Sequence, residues 1–81
     1  MTTEQRRDTL RNDLARAQRI TRQAWDNYRD AVRAANAYPS IERMERVAEW
    51  AKKWCSNEIA SQVVRVRLLN VELKLSREVT A

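Results

Sequence analysis

The residues of this chain that could carry out chemistry are few, and one of them is its only cysteine, Cys55. A thiol becomes nucleophilic where nearby cations favour the thiolate, and Lys52 and Lys53 are a weak signal of such a setting. The chain has no histidine, the usual general base and a common zinc ligand, and no glycine for a phosphate-binding loop. We therefore expect no enzymatic activity, no metal and no cofactor, and we expect Cys55 to be a small buried residue beside Trp54.

The second chemical feature is the basic charge, a net +5 that comes mostly from arginine, a residue suited to phosphate and carboxylate contacts. Several arginines follow an acidic residue by three positions, as Arg29 follows Asp26, and such pairs are typical of a solvated helix face. The basic residues without such a partner are predicted to gather at one end of the molecule, away from the aromatic side chains that could stack on bases. Four of them are candidates for binding an acidic partner: Arg22, Arg65, Arg67 and Lys74.

The elements that must position these side chains are predicted to be two long helices. The chain has one proline, Pro39, which lies close to its midpoint, and without glycine it has few ways to form other tight turns. Tyr38-Pro39-Ser40 is the predicted turn, in which proline disfavours helical geometry for the residue before it and Ser40 caps the second helix. Thr2 and Gln5 are predicted to form a capping box at the start of the first helix.

Apolar residues recur in the first helix at alternating spacings of four and three, which predicts a coiled-coil-like seam. Its members are Leu10, Leu14, Ala17, Thr21, Ala24, Tyr28, Ala31, Ala35 and Tyr38. In the second helix the predicted seam starts with Ile41, Met44, Ala48, Ala51, Cys55 and Ile59, and a step of four plus four to Val63 makes a stutter. Folding at Pro39 is predicted to place Leu10 opposite Leu68 and Ala24 opposite Trp54, so that small residues meet large ones.

Residues 63–75 allow two interpretations. As a helix they carry one apolar stripe of Val63, Val66, Leu69 and Leu73 and a second of Val64, Leu68, Val71 and Leu75, which is typical of a helix between two neighbours. As strands they would form a β-hairpin about Leu69-Asn70, giving an α+β fold. The helix is favoured, because the preferred hairpin turns need positive φ and no glycine is present.

These patterns predict an all-α helical hairpin, a single helical domain over residues 1–81, that assembles as a bundle and most simply as a homo-oligomer. Its surplus apolar surface predicts a small non-enzymatic interaction protein that modulates, inhibits or scaffolds a larger macromolecule, and its basic charge is compatible with an acidic partner. The predicted apolar contacts are Trp50, Val64, Leu68, Val71 and Leu75. Small, basic, cofactor-free helical chains are also common among accessory and inhibitor proteins of phages and other mobile elements.

The alternative function is a small basic nucleic-acid-binding protein that uses the arginine-rich open end of the hairpin. The start of the chain shows no signal peptide and no apolar run is long enough to span a bilayer, so a cytoplasmic protein is expected. Phosphate contacts weaken steeply with salt and apolar docking does not, which separates the two functions experimentally.

Overall fold

The computed structural model describes residues 1–80 and consists of two helices, α1 (Thr3–Ala37) and α2 (Ile41–Thr80), that pack along each other as an antiparallel hairpin. The predicted all-α fold is confirmed. Residues 63–75 are helical throughout, so the alternative β-hairpin is wrong for this segment. The hairpin is a rod of 62 × 16 × 14 Å.

The turn reverses the chain without a glycine. Tyr38 ends α1 outside helical geometry, with φ of −138° and ψ of 82°, as expected for a residue before proline. The hydroxyl of Ser40 accepts a hydrogen bond of 3.1 Å from the Arg43 amide and so caps α2, while the Arg43 side chain bonds the Tyr38 carbonyl and lies over the Tyr38 ring. Among residues 1–80, none has a positive φ. The turn is therefore built from proline, a serine cap and the Arg43 side chain, with no residue in the left-handed region.

The start of α1 confirms the predicted capping box. The Gln5 amide donates to the Thr2 hydroxyl at 3.1 Å, and the Gln5 side chain accepts from the Thr2 amide at 2.9 Å. These two reciprocal bonds satisfy donors that a helix start leaves without partners. Helix α1 thus begins where the sequence predicts it to begin.

The face that α1 turns towards α2 is the predicted seam. Every member of that seam from Leu10 to Ala35 is buried or half-buried, while Tyr38 beyond them is exposed. Thr21, the one polar member, is buried, and its hydroxyl donates to the Ala17 carbonyl at 2.8 Å. This bond within the helix satisfies the hydroxyl and lets the threonine occupy a core position.

The predicted seam of α2 is wrong, because a different stripe faces α1. Ile41, Met44 and Ile59 are 77%, 64% and 66% exposed, and Cys55 is exposed rather than buried. Only Ala51 of the predicted set is half-buried. The stripe that packs on α1, here called the inner stripe, has an unbroken three–four spacing without a stutter: Val47, Trp50, Trp54, Asn57, Ser61, Val64, Leu68, Val71 and Leu75.

The core between the helices has three sections. Near the turn, the Trp54 ring stacks on Tyr28 with centroids 6.2 Å apart and contacts Trp25 at 4.9 Å. Near the open end, Leu10 packs with Leu68 and Val71, which confirms the predicted register there. Between them lies a waist of small residues in which Thr21, Ala24 and Ser61 are buried. Small side chains at this waist allow the two backbones to approach closely.

Candidate interaction surface

The five apolar residues predicted to contact a partner all belong to the inner stripe. Leu68 and Val71 are 8% and 7% exposed, and Val64 and Leu75 pack around them. Trp50 is half-buried, with the Lys53 ammonium 4.5 Å from its ring centroid. In the closed hairpin these residues are occupied by contacts within the chain. Their role in partner binding stays a prediction, and it would require the hairpin to open.

The apolar surface that the hairpin leaves open lies on the other side of α2. A helix turns by about 100° per residue, so Ile59 points nearly opposite to buried Ser61, two positions further on. Nine exposed apolar residues of α2 lie along this side in a band, here called the outer stripe, which Lys52 interrupts once: Ile41, Met44, Ala48, Cys55, Ile59, Val63, Val66, Leu69 and Leu73. Helix α2 is thus apolar on two opposite faces, only one of which is covered by α1.

The middle of the outer stripe forms a shallow apolar groove of about 460 Å³. Ile59, Val63 and Val66 line its floor, and Arg67 stands at one end. At the other edge, the Gln62 side-chain amide donates to the Glu58 carboxylate at 3.0 Å, which ties the polar side chains of this edge together. A groove with an apolar floor and polar margins is the usual form of a surface that accepts another helix.

The four basic residues predicted to bind a partner are divided between two sides of the molecule. Arg22 and Arg65 lie on opposite helices and line one groove of about 390 Å³, where Trp25 and Trp54 are also found. The structure therefore brings aromatic rings and arginines together here, whereas the sequence predicted them at opposite ends. Glu58 lines the same groove and offsets part of the positive charge.

Arg67 and Lys74 instead lie beside the outer stripe. They are seven positions apart, which places them on one side of α2, and both are exposed. On the same margin, but near the turn, the exposed charged residues are acidic: Glu42, Glu45 and Glu49. The margin of the outer stripe therefore carries three glutamates near the turn, and Arg67 and Lys74 further along, with Glu78 beyond them.

Some of the remaining ion pairs are those that the helical spacing predicts, and others are not. Arg29 pairs with Asp26 at 3.5 Å, as the spacing predicts. Arg11 reaches across the hairpin to Glu72 at 3.4 Å, an inter-helix contact that helical spacing within α1 did not indicate. Both pairs are largely exposed to solvent, so each stabilises the fold only slightly.

The outer stripe offers apolar side chains with charged residues along their margin, which suits contact with another macromolecule. Within residues 1–80, no group of three or more histidine, cysteine, aspartate or glutamate residues is arranged to hold a metal ion. Neither α1 nor α2, over the residues described, has the combination of length and apolar character that crossing a membrane requires. No protein-family model matches the chain, and comparisons with curated proteins and with solved structures find no match either.

Proposed function

We propose that this chain is a non-enzymatic protein-interaction module that docks on a larger protein through the outer stripe of α2. The observation that carries the proposal is the outer stripe itself, nine exposed apolar residues along one side of α2. Monomeric proteins rarely leave such a band in water, because contact with water disfavours it. By covering or reshaping part of its partner, such a module can modulate, inhibit or scaffold that partner.

Burial of the outer stripe supplies the free energy of docking. An isoleucine, leucine or valine side chain gains about 1.5–3 kcal/mol when it is fully removed from water. Ile59, Val66 and Leu73 are each more than half exposed. Burial by a partner would therefore contribute more than half of that free energy at each position. Arg67 and Lys74 at the margin favour a partner with acidic residues beside its own apolar groove.

The test is to capture the partner through the outer stripe and then to measure its affinity. A photo-crosslinking residue at Val63 should trap the partner in cells, and the same residue at Arg16, exposed on α1, should not. With the purified partner, Ile59→Glu should weaken the dissociation constant at least tenfold. The matched control is Ile20→Glu, at an isoleucine of α1 that is 48% exposed, and it should leave the affinity unchanged. Equal affinity of the two variants for the partner would show that the outer stripe is not part of the docking surface.

Nucleic-acid binding is the second candidate, and one observation favours it. The groove that holds Arg22 and Arg65 also exposes the Trp25 ring, so phosphate and base-stacking contacts could be made together. Binding of this kind weakens steeply as salt is raised. In a titration with single-stranded oligonucleotides, Arg65→Glu should abolish such binding while Ile59→Glu leaves it intact. No binding by the parent protein at low salt would exclude this candidate.

A further inference from the structure

We propose that the outer stripe is also the surface on which a second copy of this chain docks, with α2 antiparallel to α2 of the second copy. The two-fold axis passes between Cys55 and Ile59, at the middle of the outer stripe. This inference rests on the proposed function, because it uses the same stripe as a docking surface, and it names a particular occupant for that stripe. The resulting assembly is a four-helix bundle made of two hairpins.

The first argument is the area that remains in contact with water. The hairpin exposes 6463 Å². A compact monomer of the same mass exposes about 5,100 Å². The difference exceeds the ~800 Å² that one partner contributes to an interface of standard size. A second hairpin placed along the 62 Å rod would cover an area of this order.

The second argument is that the outer stripe is complementary to itself when one copy is reversed. A two-fold axis between Cys55 and Ile59 pairs Ile41 with Leu73 of the second copy. It also pairs Ala48 with Val66, and Cys55 with Ile59, so that a small side chain meets a larger one in two of the three layers. This alternation of small and large residues lets facing helices pack closely.

The third argument is the order of charges along the margin of the stripe. In the antiparallel arrangement the same margin of each α2 faces its counterpart, read in the opposite direction. Glu42 then lies beside Lys74 of the second copy, and Glu49 lies beside Arg67. A parallel arrangement would instead set this margin against the opposite margin of the second copy, so that neither of these ion pairs would form. The charge order therefore selects the antiparallel dimer.

A dimer through the outer stripe affects how a larger protein binds. Both would use the same apolar residues, so a larger protein has to displace the second copy before it can dock. Self-association then competes with partner binding and lowers the apparent affinity for the partner as the concentration of this chain rises.

The mass of the purified protein in solution is the primary test. Light scattering after size-exclusion chromatography, over a concentration series, should give twice the chain mass of 9.6 kDa at high concentration. Ile59→Glu places two like charges close to the axis and should yield the monomer mass. Ile20→Glu should remain a dimer, and circular dichroism should show that both variants keep their helices.

Crosslinking between cysteines tests the direction of the helices. In Ile59→Cys, a short thiol crosslinker should join Cys55 of one copy to position 59 of the other, as peptide mass spectrometry of the covalent dimer isolated on a denaturing gel can show. A link between the two positions of one chain leaves the monomer mass and does not count. Products that join Cys55 only to Cys55, and position 59 only to position 59, would indicate a parallel dimer and overturn the inference.

The charges can be tested by exchange. Glu49→Arg and Arg67→Glu should each raise the dissociation constant of the dimer roughly 2- to 30-fold. In a symmetric dimer each substitution removes two surface ion pairs at once. The two substitutions combined should restore the dimer. Failure of the combination to restore it would remove the charge pairing from the argument.

The outcomes also separate this inference from the proposed function. A monomer at every concentration whose partner binding is lost in Ile59→Glu overturns the second copy as occupant and leaves the docking function standing. A dimer that is broken by Ile59→Glu while partner binding is unaffected supports the inference and overturns the proposed docking site.

Discussion

The rings of Tyr28 and Trp54 stack across the hairpin, with centroids 6.2 Å apart and planes inclined by only 15°. Trp25 lies 4.9 Å from the same Trp54 ring at a steeper angle, so the two residues of α1 enclose Trp54 from two directions. Because the hairpin has few buried side chains, this aromatic cluster is a large part of what holds the two helices together near the turn.

Replacing Trp54 with alanine should therefore destabilise the hairpin strongly. We expect a loss of about 2–3 kcal/mol, somewhat less than for a fully enclosed ring because Trp54 is half-buried. Trp25→Ala should cost less, since Trp25 is more exposed than Trp54. Chemical denaturation followed by circular dichroism measures both values, and an equal loss in the two variants would contradict the central place given to Trp54.

Enlarging the waist of the hairpin should also be unfavourable. Ser61 is buried among small residues, so Ser61→Leu should cost about 1–3 kcal/mol by forcing the helices apart. Ser61→Ala keeps the side chain small and should change the stability by less than about 1 kcal/mol. The same denaturation measurement compares the two variants. A stabilised Ser61→Leu variant would show that the waist contains unfilled space.

Loss of the cap at the turn should weaken α2 at its first residues. In Ser40→Ala the Arg43 amide loses its acceptor, and we expect a cost of about 1 kcal/mol. Ser40→Asp keeps an acceptor and adds a favourable charge at the helix start, so it should retain the parent stability. Thermal melting compares the three proteins. An unchanged midpoint in Ser40→Ala would mean that water replaces the hydroxyl at no cost.

The inter-helix ion pair between Arg11 and Glu72 should matter little. Both side chains are substantially exposed, so Glu72→Gln should cost less than about 1 kcal/mol. The effect should disappear at high salt, because exposed charges are screened there. Denaturation at low and high ionic strength measures this difference. A large cost that persists at high salt would instead indicate that Glu72 supports the packing of its neighbours.

The first helix was predictable from the sequence because its apolar spacing is regular and has no competitor. Thr21 was the only polar residue in that seam, and its hydroxyl is satisfied within α1. The caps at Thr2 and Ser40 were also predictable, since each depends on residues within one turn of chain. The register followed from the position of Pro39.

The buried face of α2 was not predictable from hydrophobicity, because the helix carries two apolar stripes. The inner stripe is interrupted by Asn57 and Ser61, whereas the predicted seam was apolar from Ile41 to Ile59 without a break. The signal that identifies the inner stripe is its unbroken three–four spacing, which matches that of α1, together with the two large rings, Trp50 and Trp54, that it carries. Because the wrong stripe was predicted to face α1, Cys55 was expected to be buried but is exposed. For the same reason the five predicted contact residues were expected on the surface but face α1.

The existence of an exposed apolar surface was therefore predictable, but the residues that form it were not. An apolar face beyond the needs of one hairpin was expected, and the structure has such a face. Which residues form it depends on which stripe α1 covers, and that choice rests on packing between residues far apart in sequence. Ring contacts such as those between Tyr28 and Trp54 are of this kind.

The two opposite apolar faces of α2 have a consequence for how the hairpin selects one structure. Rotating α2 by half a turn about its own axis would present Ile59, Val63 and Val66 to α1 and would still bury apolar area. Such a rotated hairpin is a competing fold of the same chain. It is disfavoured because it would leave Trp54 and Leu68 in water and would remove Ser61 from the waist of small residues, where the helices approach closely. A second copy can dock only where the outer stripe faces outwards. Dimerisation would therefore stabilise the observed hairpin over the rotated one and reduce the population of the rotated form.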